Sequence, residues 1–130
     1  MSTDILVPIS PGELIDKITI LQIKSARMTD ATKLANVRAE LTALEKTWHE
    51  SAHASIDIKT EWGALKQINE KLWVVEDDLR EKERQKQFDQ EFIELARAVY
   101  FINDERAAVK RQINVKLGSK LIEEKSYAKY

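Results

Sequence analysis

Apolar residues recur at alternating three- and four-residue steps in four consecutive stretches of the chain, a spacing that places them on one face of an α-helix. The stretches are Leu14, Ile18 and Leu21; Leu34, Val37, Leu41, Leu44 and Trp48; Trp62, Leu65, Ile68, Leu72, Val75 and Leu79; and Phe92, Leu95, Val99, Ile102, Val109 and Ile113. In the fourth stretch a charged residue, Arg106, takes one of the apolar positions. The sequence shows no alternating strand pattern. It therefore predicts an all-α, antiparallel four-helix bundle, or long helical hairpins, with coiled-coil-like packing.

Capping residues set the predicted helix boundaries. Ser10, followed by Pro11 and by Glu13 in a capping box, starts a helix that ends near Met28. The other predicted helices run from Thr29 or Asp30 to about His53, from Thr60 or Asp57 to roughly Lys86, and from Asp89 to Leu117 before Gly118. Residues 1–9 are then an extended lead, and residues 118–130 are a C-terminal tail that either folds back or stays loose.

Composition predicts one domain over residues 1–130, because 130 residues with 43% hydrophobic content can build a core without disulfides. Cysteine is absent, and neither a basic leader nor a membrane-length apolar run is present, so we expect a cytoplasmic protein. The net charge of −1 hides an asymmetry, since residues 106–130 hold 7 basic and 2 acidic side chains. Such a basic end attracts acidic surfaces, but it also suits the C-terminus of a helix.

Arg106 occupies a core position of the fourth apolar stretch. Burying an unpaired guanidinium costs several kcal/mol, so Arg106 must either meet a carboxylate such as Asp16 or Glu76, or face a cavity that accepts an anion. Trp73 on the third helix is placed to wall such a cavity, although a tryptophan there also fits a core position. Further polar residues crowd the fourth helix: Arg97, Tyr100, Asn103, Asp104, Lys110, Arg111 and Asn114.

Two patterns raise metal chemistry. His49 and His53 match H-E-x-x-H, which binds zinc when both histidines share one helical face, but the segment ends a predicted helix and no sheet accompanies it. Acidic residues on the third and fourth helices form a second candidate, in which Mg²⁺ is the metal and Glu70, Glu76, Asp77 and Asp104 are its ligands. A solvated face with salt bridges to Arg80 and Arg84 explains these carboxylates equally.

Several motifs resemble those of an uncharacterised bacterial and phage family of small all-helical proteins. They are Ser10-Pro-Gly-Glu-Leu-Ile-Asp-Lys, Asn69-Glu-Lys-Leu-Trp with Glu76-Asp77, the run from Phe88-Asp89 to Asn114, and Glu123-Glu-Lys-Ser-Tyr127. His49 and His53 lie outside them. With the polar residues of these motifs, the candidate ligand-binding set becomes Asp16, Lys17, Trp73, Glu76, Arg80, Asn103, Asp104, Arg106, Lys110, Arg111, Lys125 and Tyr127. The resemblance implies no chemistry, because the family is one of unknown function.

Two classes of function follow from these residues. The first is a binding or interaction module, self-associating as a dimer or bound to a protein partner, whose polar cluster takes a small anionic or phosphorylated ligand or an acidic partner. The second is a Mg²⁺-dependent enzyme that acts on a phosphorylated small molecule, with a zinc hydrolase as a more remote alternative. A membrane role is not expected, and a nucleic-acid role is not favoured because most of the chain is acidic.

Overall fold

The computed structural model describes residues 2–130, and in that range it contains α-helices and one 3₁₀ turn but no strand. The helices are α1 (Pro11–Arg27), α2 (Ala31–Glu50), α3 (Lys59–Gln85) and α4 (Gln90–Lys116), and the 3₁₀ turn is Ala52–Ser55. The prediction of an all-α helical bundle is confirmed.

Three of the four helix starts agree with the capping residues in the sequence, whereas α3 begins after Ile58, which makes no side-chain capping bond, and not at the predicted Asp57 or Thr60. Ser10, Asp30 and Asp89 cap α1, α2 and α4, and each side chain accepts a hydrogen bond from the backbone N–H three residues later. The reciprocal half of the predicted capping box is not formed, because the Glu13 carboxylate instead lies 2.7 Å from Lys110 Nζ. A long-range ion pair has replaced the local bond that the sequence suggested.

α2 ends at Glu50, three residues before the predicted end. Ser51 has an extended backbone, with φ −79° and ψ 153°, and its hydroxyl donates to the carbonyl oxygen of Trp48 at 2.7 Å. Serine side chains compete with the helix for backbone partners in this way, which explains the early end. α4 ends as predicted, because Gly118 has φ 66° and the Ser119 N–H donates to the Asn114 carbonyl oxygen at 2.8 Å.

α1 is the central helix, since it packs against α2, α3 and α4, while α3 and α4 pair with each other as a long hairpin. The buried apolar cluster joins residues from all four helices and the α3 approach: Leu14, Ile15, Ile18, Trp48, Ile58, Leu65, Ile113 and Leu117. Trp48 of α2 meets Trp62 of α3 edge to face, with ring centroids 5.8 Å apart. The first turn of α1 and the last turn of α4 therefore meet at one end of the bundle.

Buried side chains of α3 and α4 lie only between residues 65 and 69 and between residues 102 and 114. The rest of the hairpin, residues 70–101, is half-buried or exposed. Within residues 2–130, no helix is both long enough and apolar enough to cross a membrane. The core thus lies where α1 covers the hairpin, and two polar residues of α1, Asp16 and Thr19, are buried there.

Candidate functional site

Asp16 and Arg106 form a two-pronged ion pair between α1 and α4. Arg106 Nε donates to Asp16 Oδ1 at 2.8 Å, and Nη2 donates to Asp16 Oδ2 at 2.5 Å. Asp16 is only 1% exposed, whereas the Arg106 side chain is 26% exposed. The hydrogen bonds that Arg106 donates to Asp16 raise the pKa of Arg106 above its usual value, and burial opposes that shift. Of the two carboxylates that the sequence offered, Asp16 is the one that pairs, while Glu76 pairs with Arg80.

Asn69 of a third helix, α3, also hydrogen-bonds to this ion pair. Its Nδ2 group donates to Asp16 Oδ1 and to Thr19 Oγ1, each at 3.0 Å. Asn69 is 4% exposed, and its Oδ1 atom has no hydrogen-bond partner within residues 2–130. Because a buried acceptor without a donor costs roughly 1–3 kcal/mol, this oxygen calls for an explanation.

A cleft of about 310 Å³ lies beside the Asp16–Arg106 pair. Ile20 of α1, together with Leu72 and Trp73 of α3, supplies its apolar wall. Its polar lining consists of Asn69, Glu76, Asp77, Arg80 and Arg106. The volume falls at the lower end of what small-ligand sites have, roughly 300–1,000 Å³. The placement of Trp73 at this wall agrees with the position inferred from the sequence.

Arg106 has hydrogen-bond donors to spare at this cleft. A guanidinium carries five N–H groups. Two of them bond to Asp16, and Nη1 makes only a long contact of 3.4 Å with Asn103 Oδ1. A ligand acceptor in the cleft could therefore bind Arg106 without breaking its ion pair.

The charges that line the cleft cancel. Arg80 and Arg106 are positive, Glu76 and Asp77 are negative, and Asp16 already neutralises Arg106 from behind. Arg80 Nη1 also bonds to the Glu76 carboxylate, which raises the pKa of Arg80. The cleft therefore has no excess of positive charge to attract a free anion.

The other predicted cationic residues belong to a second network on α4. Residues 119–130 fold back along this helix, and we call them the strap. Their ion pairs with α4 are Glu123 with Lys110 at 2.8 Å, Glu124 with Arg111 at 3.2 Å, and Lys125 with Asp104 at 3.8 Å. Lys17 of α1 contacts Glu13 at 3.9 Å. The basic surface of α4 is thus already occupied by acidic residues of the same chain.

The end of the strap is held by aromatic contacts. The Tyr130 ring lies 4.5 Å from the Phe101 ring and 5.4 Å from the Tyr100 ring, measured between centroids. The Tyr130 hydroxyl donates to Asp104, and this bond raises the pKa of Tyr130 to about 12. Tyr127 and Lys125 line a hollow of about 600 Å³ between the strap and α4. The strap covers α4 and does not line the cleft at Trp73.

Reversing the charge of Glu123 is expected to release the strap. In Glu123→Lys the contact with Lys110 becomes repulsive, while Lys110 keeps its partner Glu13. Because the Glu123 side chain is 51% exposed and Lys110 keeps Glu13, the helices should stay folded while the strap becomes several-fold more sensitive to chymotrypsin. Lys120→Glu is the matched control, and equal cleavage rates in both variants would contradict the ion pair's role.

The same contact should depend on pH. Lys110 holds the pKa of Glu123 below its usual range, first through the hydrogen bond and then through charge attraction. Because the pKa of Glu123 is lowered in the docked state, the ion pair stabilises docking of the strap at pH values above the ordinary carboxyl pKa. This stabilisation is lost as the pH falls through the lowered pKa. Protease sensitivity of wild type should therefore rise toward that of Glu123→Lys in acid.

The proposed metal ligands are not brought together. Glu76 and Asp77 line the cleft, Glu70 lies near Val74 on another face, and Asp104 contacts the strap. Within residues 2–130, no three histidine, aspartate or glutamate side chains form a group that could hold a metal ion. The predicted Mg²⁺ set therefore has no common centre.

The histidines do not share a helix either. His49 lies in the last turn of α2, whereas His53 lies in the 3₁₀ turn beyond the extended Ser51. The H-E-x-x-H pattern needs one continuous helix to place both imidazoles on the same face. The local structure at Ser51 removes that arrangement.

The candidate ligand-binding set left out two buried polar residues, one in the Asn69-Glu-Lys-Leu-Trp motif and one on the fourth helix. Asn69 and Asn114 are each more than nine-tenths buried, and the Asn114 Oδ1 atom accepts from the Gly12 N–H at 2.7 Å. Each follows an isoleucine of an apolar stretch directly, Ile68 and Ile113. A polar residue adjacent to a core position was the available signal.

The fold and site define a small all-α protein with a buried ion pair beside an open cleft. Residues 5–130 match a family of unknown function, DUF6165, and the chain belongs to this family. Neither a curated protein nor a solved structure matches the chain. The residues of the site must therefore supply the functional argument.

Proposed function

We propose that this protein is a binding module whose ligand site is the cleft between Trp73 and Arg106. The observation that carries the proposal is the buried Asn69 Oδ1 atom, an acceptor without a partner on a residue that lines the cleft. Buried polar atoms are nearly always satisfied, so a ligand or a bound water that donates to Asn69 would complete the network. Arg106, which has spare donors, lines the same cleft.

The lining selects the chemistry of the ligand. Trp73, Leu72 and Ile20 favour a flat apolar or aromatic body. Arg106 favours an acceptor such as a carbonyl oxygen, and Asn69 Oδ1 requires an N–H or O–H donor. A carboxamide or a nitrogen heterocycle carries such a donor and acceptor side by side. We therefore favour an uncharged ligand of this class over the free anion that the basic residues suggested in the sequence.

Thermal shift with a defined panel tests the proposal. The panel contains nucleosides, nicotinamide and simple amides, set against phosphate, sulfate, sugar phosphates and Mg²⁺. Ligands that bind only the folded state raise its stability, by about 2.7 kcal/mol at one hundred times Kd. We expect an uncharged heterocycle or amide to raise Tm, whereas inorganic anions and Mg²⁺ alone should not.

Two variants place the binding in the cleft. Trp73→Leu removes the aromatic wall but keeps an apolar side chain, and Arg106→Lys keeps the charge opposite Asp16 but loses the forked donors. Each should weaken binding by about tenfold, which corresponds to about 1.4 kcal/mol. Asp78→Ala is the control, since Asp78 is exposed and does not line the cleft. A panel without any hit, or a hit unaffected by both variants, would overturn the proposal.

A further inference from the structure

An extended apolar arm precedes α1. Ile5 and Leu6 are 89% and 91% exposed, and Val7 and Ile9 are also exposed. Exposing consecutive apolar side chains to water is unfavourable, because the free energy falls when such a side chain is buried against another surface. We define the arm as residues 2–9.

Two prolines direct the arm away from its own bundle. Pro8 and Pro11 each restrict the preceding residue to extended backbone. Ser10 shows this conformation, with φ −72° and ψ 154°. Since Ile5, Leu6 and Val7 remain exposed, the arm does not cover the surface of its own bundle.

An apolar groove lies at the same end of the molecule. Its volume is about 590 Å³, and its lining includes Trp48, Ile56, Ile58 and Trp62. Ile56 is exposed within it. Trp48 and Ile58 share a buried cluster with Leu14 in the first turns of α1, which places the groove at the end from which the arm emerges.

We infer that the arm of one copy docks in the groove of a second copy, and that the exchange is reciprocal. Because the root of the arm and the groove lie at one end, two copies that meet there about a twofold axis satisfy both contacts at once. Eight extended residues reach about 26 Å, which is enough to cross such an interface. The apolar side chains of the arm then meet the apolar residues of the lining, while the charged residues of the lining, Asp57 and Lys59, are exposed and can stay in contact with water.

Disulfide trapping between copies tests the docking directly. The chain has no cysteine, so an introduced pair gives an unambiguous cross-link. An untagged Leu6→Cys chain is mixed under mild oxidation with a Ser55→Cys chain that carries a tag, so that the mixed dimer differs in size from either homodimer. Ser55 is chosen because it lines the groove and is exposed. We expect the mixed disulfide dimer to form several-fold faster than with the control partner Asp78→Cys, which lies on the exposed hairpin.

Sedimentation equilibrium provides a second measurement. Wild type should show a concentration-dependent dimer. Leu6→Asp should raise the Kd of that dimer at least about tenfold, which corresponds to about 1.4 kcal/mol of binding free energy. Tyr127→Asp, which changes an exposed aromatic residue of the strap, should leave the Kd unchanged. A wild-type chain that stays monomeric, or an internal disulfide in a Leu6→Cys and Ser55→Cys double variant without dimer, would overturn the inference.

Discussion

Replacing Arg106 with methionine is expected to destabilise the protein by about 3 kcal/mol, the lower end of the range for breaking a buried ion pair. The methionine fills a similar volume but leaves Asp16, which is 1% exposed, without its cation. Asn69 alone then has to stabilise that carboxylate. The lower end applies because Arg106 itself is partly exposed, so water can approach the stranded charge. Urea unfolding followed by circular dichroism measures the change.

A double variant separates the stranded charge from lost packing. Asp16→Asn combined with Arg106→Met removes both charges but keeps an acceptor for the Asn69 Nδ2 group. Breaking a buried ion pair is costly mainly because one charge is left without a partner, and the double variant leaves no such charge. The double variant should therefore recover most of the stability. If it is as unstable as the single variant, packing of the guanidinium, and not its pairing, is what the fold requires.

Gly12→Ala is expected to destabilise the protein by about 3 kcal/mol, the upper end of the range for overpacking. A methyl group at Gly12 would lie 2.5 Å from the Lys110 carbonyl oxygen and 2.9 Å from Asn114 Oδ1. Because the nearer atom belongs to the backbone of α4, a side-chain rotation cannot relieve the contact. α1 and α4 would have to separate, which weakens the bond from the Gly12 N–H to Asn114.

Gly63→Ala is the matched control for this variant. Gly63 lies within α3, and apart from its chain neighbours and the nearby backbone of its own helix, no atom lies within 4 Å of the position that its Cβ would occupy. Alanine is favoured over glycine inside a helix by roughly 0.5–1 kcal/mol, so this variant should be more stable than wild type. Equal effects of the two substitutions would show that close approach of α1 and α4 is not the reason for glycine at position 12.

The fold was predictable because its signals are local. The three- and four-residue spacing selects helices, and Ser10, Asp30 and Asp89 each bond to a backbone group three residues away. Gly118 supplies the left-handed residue that ends α4. Ser51 was the exception. Its side chain ends α2, although neither the apolar spacing before it nor His49 and His53 on either side of it indicated a helix end there.

The site was predictable only in part. Arg106 stood out because a charge at a core position needs a partner, and Trp73, another candidate residue, lies in the wall of the adjacent cleft. Of the twelve residues treated as one cluster, ten divide between two places, while Lys17 contacts Glu13 on α1 and Asn103 makes a long contact with Arg106. Asp16, Trp73, Glu76, Arg80 and Arg106 lie at the cleft or its floor, whereas Lys110, Arg111, Asp104, Lys125 and Tyr127 lie beneath or within the strap.

By itself the sequence determined four helices, the N-caps of three of them and the need to neutralise Arg106, since these depend on neighbours within one or two turns. Only the tertiary structure decided that the partner is Asp16, 90 positions away, and that Asn69 approaches from a third helix. It also decided that the strap neutralises Lys110 and Arg111. Pairings between helices depend on how the helices cross and in which register, and periodicity along one helix carries no information about either.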